Sequence, residues 1–485
     1  MHSRQVFRRV IIILCGWLGF AHTLSAQEDP GEKTIFPLEA LYERVLEYHP
    51  QLQQAGLLTE EAKMLIREAR GAFDPKLVSE FEQKYFNDKE YFTVWKSELK
   101  IPTLINTDLK VGYEQNSGIY LNPQNKLPEA GLVYAGISVP LGQGLLTDSR
   151  RTALRVAQLE TELAEAERVK LINKFLYEAA KDYWTWALAY QQLRLNEEGV
   201  ELARFRFEGI RESVFVGDLA PIDSVEAAIT VQSREIEYLQ SKLEYKNALL
   251  QLAVYLWTEE GEPLLPQAGI APEELVQLVP VPLQAVEELM SLVETQHPDL
   301  RKLQAKIEQL EVEERLYREL LKPVVDLQYN YLRQPEQVVV EEIPLAFSEN
   351  YKLGVNFAFP LLLRKERAKL QLNRIKQKQT FFALHQRQRE LSAGLEQAYN
   401  EYLNLKRLLV AQQTIVRDYQ RLQEGEIEKF EAGESSLFLV NQRENKLLEA
   451  RQKLLELAAK YQKARAAVLW SAGLSVSGEL TEAGL

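Results

Sequence analysis

The chain has 485 residues, with 58 lysines and arginines against 70 aspartates and glutamates, for a formal net charge of −12. That acidic balance argues against a nucleic-acid partner. Its one cysteine, Cys15, lies in a leader-like N-terminus, so the remainder can form no disulfide and supports no thiolate chemistry.

Residues 1–26 read as a secretory signal peptide. Arg4, Arg8 and Arg9 precede an apolar run from Val10 to Phe20, and Leu24-Ser25-Ala26 offers a small-residue cleavage site. The run is too short to span a bilayer, and no 18-residue apolar stretch follows it. Loss of the three arginines takes the formal charge to −15. An exported chain of this kind is either soluble or spans a membrane as a β-barrel, whose strands show as alternation.

Residues 38–72 carry a helical pattern, with Pro50 acceptable as a kink or first-turn residue. Four candidate strands follow at 77–85, 91–101, 107–114 and 132–139. In the first, Leu77, Phe81 and Tyr85 oppose Glu80, Glu82 and Lys84; the others alternate likewise, with Trp95, Leu99, Val111, Tyr113, Val133 and Ile137 on their apolar faces. A long helix at 149–212 comes next, then a turn at Gly217 and a helix at 221–257. Along the long helix, Val169, Ile172, Leu176, Ala179, Tyr183, Trp186, Tyr190 and Leu193 step by three and four, a coiled-coil-like seam. Residues 258–283, punctuated by Pro263, Pro266, Pro272, Pro280 and Pro282, read as a linker wrapping the outside.

The second half runs through the same series. It has a helix at 284–321, strands at 325–331 and 351–359, a long helix at 364–431, a turn at Gly433 and a helix at 435–470. The text repeats as well: Tyr48-His49-Pro50-Gln51-Leu52 against Gln296-His297-Pro298-Asp299-Leu300, and Pro75 against Pro323 at the same offset. A period above 200 residues marks a duplicated domain half, 27–257 and 284–485, rather than a solenoid. The shorter helices of each half sum to about the length of the long one, roughly 100 Å at 1.5 Å per residue. Stacked end to end beside the long helices, they form a sheath with strands at one end and glycine turns at the other.

These residues resemble the TolC-like outer-membrane efflux protein family. The resemblance is carried by the paired His-Pro-x-Leu segments, by Pro75 and Pro323, and by Val139-Pro140-Leu141 and Phe359-Pro360-Leu361. The turns Val216-Gly217-Asp218-Leu219 and Ala432-Gly433-Glu434-Ser435 complete it, and it covers essentially the whole chain after residue 26. It implies an α+β membrane protein in which long antiparallel helices form an α-helical barrel and the strands an outer-membrane β-barrel, with an internal two-fold repeat, closed as a homotrimer. The expected function is the outer-membrane channel of a tripartite efflux or type I secretion system. Its partners would be outer-membrane lipid, a periplasmic adaptor and, through it, an inner-membrane pump. Four to six strands from one chain are too few to enclose a wide lumen, which also favours an oligomer. The family has two strands per half; four candidates stand in the first half here, which leaves the barrel's strand number open. The competing reading is a soluble periplasmic coiled-coil adaptor or scaffold with a β-domain.

Catalytic motifs are missing from the sequence. After residue 26 only His49, His297 and His385 remain; there is no HExxH, Walker loop or GxSxG, and Gly142-Gln143-Gly144 reads as a turn. The expectation is no enzyme, no metal and no cofactor. Three polar features are candidates instead. Gly217 and Gly433 supply tight turns, and by the resemblance Val216, Asp218, Leu219, Ala432, Glu434 and Ser435 beside them would meet the adaptor. Glu424, Glu426 and Glu428, three copies of each around a pore entrance, would form cation-selecting acid rings. Trp184 and Trp186, with Tyr183 and Tyr190, read as helix packing.

Overall fold

A computed structural model describes residues 34–265, 269–275, 285–337 and 350–475. The signal-peptide reading, Pro266, Pro280 and Pro282 lie outside them. A short strand, β1 (Thr34–Ile35), leads into α1 (Leu38–Tyr48) and α2 (Pro50–Arg70). Four long strands follow: β2 (Lys76–Phe86), β3 (Lys89–Pro102), β4 (Asp108–Ser117) and β5 (Leu132–Pro140). Then come α3 (Ser149–Val216), α4 (Pro221–Ala253), the short β6 (Ile270–Ala271), α5 (Val286–Gln296) and α6 (Pro298–Glu319). The chain ends with β7 (Val324–Arg333), β8 (Tyr351–Ala358), α7 (Arg364–Glu431) and α8 (Leu437–Ser471). Among the described residues no helix is long and apolar enough to cross a membrane.

The stretch read as one helix at 38–72 is two, broken at His49, and 284–321 is likewise broken at His297. Proline at the first helical position has no N–H to donate and presets the turn. Each histidine takes an extended backbone and caps the helix after it: His49 Nδ1 accepts from the Gln51 amide and His297 Nδ1 from the Asp299 amide, both at 3.2 Å. The helix expected to reach residue 257 ends at Ala253, where the chain turns away and Trp257 bridges to Pro263.

The helices stand in four columns. On one flank of α3 lie α2 and α4; on the other lie α6 and α8, which also pack on α7. The short helices meet end to end. The end of α4 reaches the start of α2, where His49 Nε2 lies 3.3 Å from the Val254 carbonyl, and Gly473 at the end of α8 abuts the His297 ring at the start of α6. Their partners α3 and α7, 68 residues each, run unbroken, a rise of roughly 100 Å apiece.

The core sits at the joints. Tyr183 and Trp186 are fully buried with Leu41, Val45, Leu176 and Leu252, while Ala179, Ala187, Ala458 and Ala459 let the helices close in. The Tyr183 hydroxyl donates to the Phe36 carbonyl at 2.8 Å and accepts from the Glu273 amide at 3.1 Å. It thereby clamps the parallel β1–β6 pair, which the sequence reading missed, onto α3. A second apolar cluster gathers Leu289, Val293, Leu395, Tyr402, Tyr461 and Val468 at the other joint.

Candidate functional site

All six long strands form one sheet in the order β2-β3-β4-β5-β7-β8, every neighbour antiparallel. The β2–β3 turn is Asn87-Asp88, both with positive φ (49° and 53°), the two-residue hairpin geometry that suits strand twist. Side chains alternate between faces, and the registers hold the alternation in phase across all six strands, save for one shift at Lys84/Tyr85 beside the β2–β3 turn. One row reads Leu77, Leu99, Val111, Ala135, Tyr331, Tyr351; its neighbour on the opposite face reads Lys76, Lys100, Lys110, Gly136, Asn330, Lys352. The apolar face is open: Leu77, Phe81, Trp95, Val111, Ile137, Val355 and Phe357 are exposed. On the polar face, Lys96 pairs with Glu114 at 3.2 Å and Lys100 with Asp108 at 2.9 Å. Tyr134 lies over Gly112, where a Cβ would stand 2.4 Å from its ring, and its hydroxyl reaches Glu98 at 2.7 Å, so β5 is tied to β3 across β4. A sheet with one open apolar face and one charged, cross-linked face suits a wall between hydrocarbon and water.

At the far end of the columns the chain reverses twice. Gly217 (φ 89°) and Gly433 (φ 76°) hold the left-handed conformation that ends a helix, and the bonds around them match. The Asp218 amide donates to Ser213 at 2.9 Å and the Gly217 amide to Val214 at 3.1 Å; the Glu434 amide donates to Lys429 at 2.8 Å and the Gly433 amide to Phe430 at 3.0 Å. Both turns share one small apolar cluster, in which Ile210, Ala227 and Leu437 are buried and Leu219 and Phe430 pack against them. The structure therefore sets the two turns side by side. Val216, Asp218, Ala432 and Glu434 are exposed, while Leu219 and Ser435 are half-buried. Phe215 is 91% exposed and Phe438 61%; neither was singled out from sequence, although aromatics beside a turn are a readable signal of an apolar contact surface.

The three acids differ in circumstance. Glu424 and Glu428 are exposed, Glu424 accepting from Gln420 at 3.1 Å. Glu426 is engaged: Ser435 donates to it at 2.7 Å and Arg443 at 3.2 Å, contacts that hold its carboxyl below the usual carboxylate range. Beneath the turns, Arg206 pairs with the buried Glu444, Asn441 donates to Glu226 at 3.2 Å, and Arg234 bonds Asn445. This network joins α3, α4 and α8, and sequence reasoning missed it because these residues look like any solvated helix face.

A third polar centre lies at the His297 joint. Asp299 receives Lys170 at 2.9 Å and Arg387 at 2.5 Å, uniting α3, α6 and α7. Burial pushes its carboxyl up, but the two cations outweigh burial and hold it below its ordinary range. Burial also lowers the His297 imidazole to about 4, so it is neutral at pH 7. Among the described residues no cluster of His, Cys, Asp and Glu is arranged to hold a metal ion.

Comparison with known proteins agrees with this geometry. Residues 289–474 match the family described as outer membrane efflux protein. Among solved structures, the chain is similar to the open-state outer-membrane channel MtrE of Neisseria gonorrhoeae, with 14% identity and a TM-score of 0.65 over 90% of this chain and 89% of that one. It is also similar to the CmeC outer-membrane channel of Campylobacter jejuni, at 14% identity and a TM-score of 0.61 over 92% and 88%. The outer-membrane protein VceC of Vibrio cholerae matches at 14% identity and a TM-score of 0.60 over 90% and 96%. No curated protein sequence matches the chain significantly.

Proposed function

Because residues 289–474 match the outer membrane efflux protein family and the described chain shares the fold of outer-membrane channels, we infer that this protein is the outer-membrane channel of a tripartite export system. Channels of this family are not enzymes, and they work with periplasmic adaptors and inner-membrane pumps. The single observation that carries the reading is the in-phase sheet, with one open apolar face and one charged face, standing on columns about 100 Å tall. A soluble scaffold would cover that apolar face with protein. The strands lie in the outer membrane and the helices extend into the periplasm.

Several copies close the duct, and three is the number we propose. Exposed apolar residues on α4, Ile222, Val225, Ile229, Ile236, Leu239 and Leu243, step by three, four and seven, the spacing of a coiled-coil seam. At the opposite lateral edge, Leu408, Ile415 and Leu422 of α7 step by seven and are also exposed, though less so. Two unlike seams on opposite edges make a heterologous contact, which gives a ring when the rotation between copies closes. The halves 27–257 and 284–485 are read as a duplication. The turn residues Val216 to Leu219 and Ala432 to Ser435 form the adaptor surface, and Glu424 and Glu428 line the entrance. Membrane fractionation and native mass spectrometry test this reading: the expected result is a detergent-dependent trimer in the outer membrane. A monodisperse, detergent-free monomer in the periplasm would refute it.

A further inference from the structure

Among the described residues the sheet leaves two edges unpaired, β2 and β8. They lie on the two lateral sides where the columns also lack neighbours, since β2 continues α2 and β8 runs into α7. The strand β2 leads away from the helices and β8 returns to them, so β2 of one copy meets β8 of the next antiparallel, like every other pair in the sheet.

We propose that all six strands of each chain enter the barrel wall, and that the wall closes by pairing β2 of one copy with β8 of the next; three copies then make eighteen strands. The inference rests on the reading above, a ring of copies in the outer membrane. Three observations exclude the alternative in which the β2–β3 hairpin stands outside the wall. β3 pairs with β4 continuously from Thr93↔Ser117 to Pro102↔Asp108. The β3–β4 turn is anchored to the helical columns, because Arg150 at the start of α3 donates to Asp108 at 3.1 Å and to Asn106 at 2.5 Å. The apolar face of the hairpin, Leu77 and Phe81 beside Leu99 and Trp95, also lies on the same side as that of the other four strands.

The edges are complementary. Setting Lys76 opposite Ala358 matches the eight residues of β8 to 76–83 of β2. That register keeps the apolar face continuous (Leu77 by Phe357, Phe81 by Leu353) and sets Glu82 opposite Lys352 on the polar face. Opposite charges across a strand pair favour it, and edge strands this apolar and exposed require a partner. With strands about 4.8 Å apart and tilted about 40°, eighteen strands give a wall roughly 36 Å across between backbones, against roughly 24 Å for four strands per chain. Such a barrel passes bulkier solutes than the four-strand wall.

The chain after residue 26 has no cysteine, so engineered pairs report contacts directly. Ser79→Cys is combined in turn with Leu353→Cys, Val355→Cys and Phe357→Cys and oxidised in outer membranes, with Val111→Cys plus Val355→Cys testing the four-strand wall. The expected result is a ladder of covalent oligomers from a β2–β8 pair, strongest for Ser79 with Val355, and none from Val111 with Val355. Strand counting by electron cryomicroscopy of the wild-type assembly in lipid nanodiscs should give six strands per chain. Cross-linking through Val111, or four strands per chain, overturns the six-strand wall and leaves the channel intact. A protein that is monomeric before oxidation overturns both.

Discussion

Acidification should weaken the His297 joint by an amount the structure sets. His297 Nδ1 accepts the Asp299 amide proton that starts α6, so a proton on Nδ1 would face a donor and undo the cap. Burial opposes the charged ring, while Asp299, Arg387 and Lys170 act on it with mixed sign, and the imidazole falls from 6.5 to about 4. The unfolded chain therefore binds a proton in the window from about 6.5 down to about 4 that the folded chain refuses, so stability declines as pH falls through it. At pH 5 the linkage amounts to about 2 kcal/mol, a roughly thirty-fold shift in the unfolding equilibrium. Asp299, held below its ordinary range, stays ionised throughout and adds nothing at pH 5. His297→Asn keeps a good helix-capping acceptor and cannot titrate. Urea unfolding of the detergent-solubilised protein at pH 7.5 and pH 5 should show the wild type losing about 2 kcal/mol more than His297→Asn. Equal pH sensitivity in the two proteins would refute the account.

Three further outcomes follow from geometry. Trp186→Ala removes a fully buried indole from the core at the His49 joint and should cost about 3–5 kcal/mol in thermal or urea unfolding. Gly217→Ala and Gly433→Ala meet no atom within 4 Å, so only positive-φ strain is felt, about 1–2 kcal/mol each by the same measurement; a larger loss would mean the turns pack against something else. In planar-bilayer recordings, Glu424→Gln with Glu428→Gln should lower cation preference. Glu426→Gln should leave selectivity nearly unchanged, because Arg443 already balances that charge.

The elements themselves were largely legible in the sequence. Alternation through Leu77, Phe81 and Trp95, or through Leu353, Val355 and Phe357, coincides with strands because a half-exposed strand needs one apolar face. The long helices were readable because proline is missing from them and the seam spacing persists for many turns. Pairing was not readable. Nothing local to Ala135 says that it lies opposite Tyr331, and whether β2 and β3 join the sheet depends on long-range registers that local patterning does not reveal. The polar centres were hidden for a different reason: Arg206 and Glu444, or Lys170 and Asp299, are ordinary charged residues until helices distant in sequence bring them together. Glu426 shows the converse, an acid in a conspicuous run whose charge is taken up within its own chain.

The junction of β5 with β7 bears on how the chain is made. The two strands are about 200 residues apart, so β5 emerges during synthesis long before its partner exists. Loop closure over that distance is slow, and unpaired strands are prone to wrong partners while they wait. The first four strands can zip locally into hairpins, but their last member stays an exposed apolar edge until β7 has followed it. An edge left open for so long is a template for pairing with another chain, and the longer it waits the greater the exposure to aggregation.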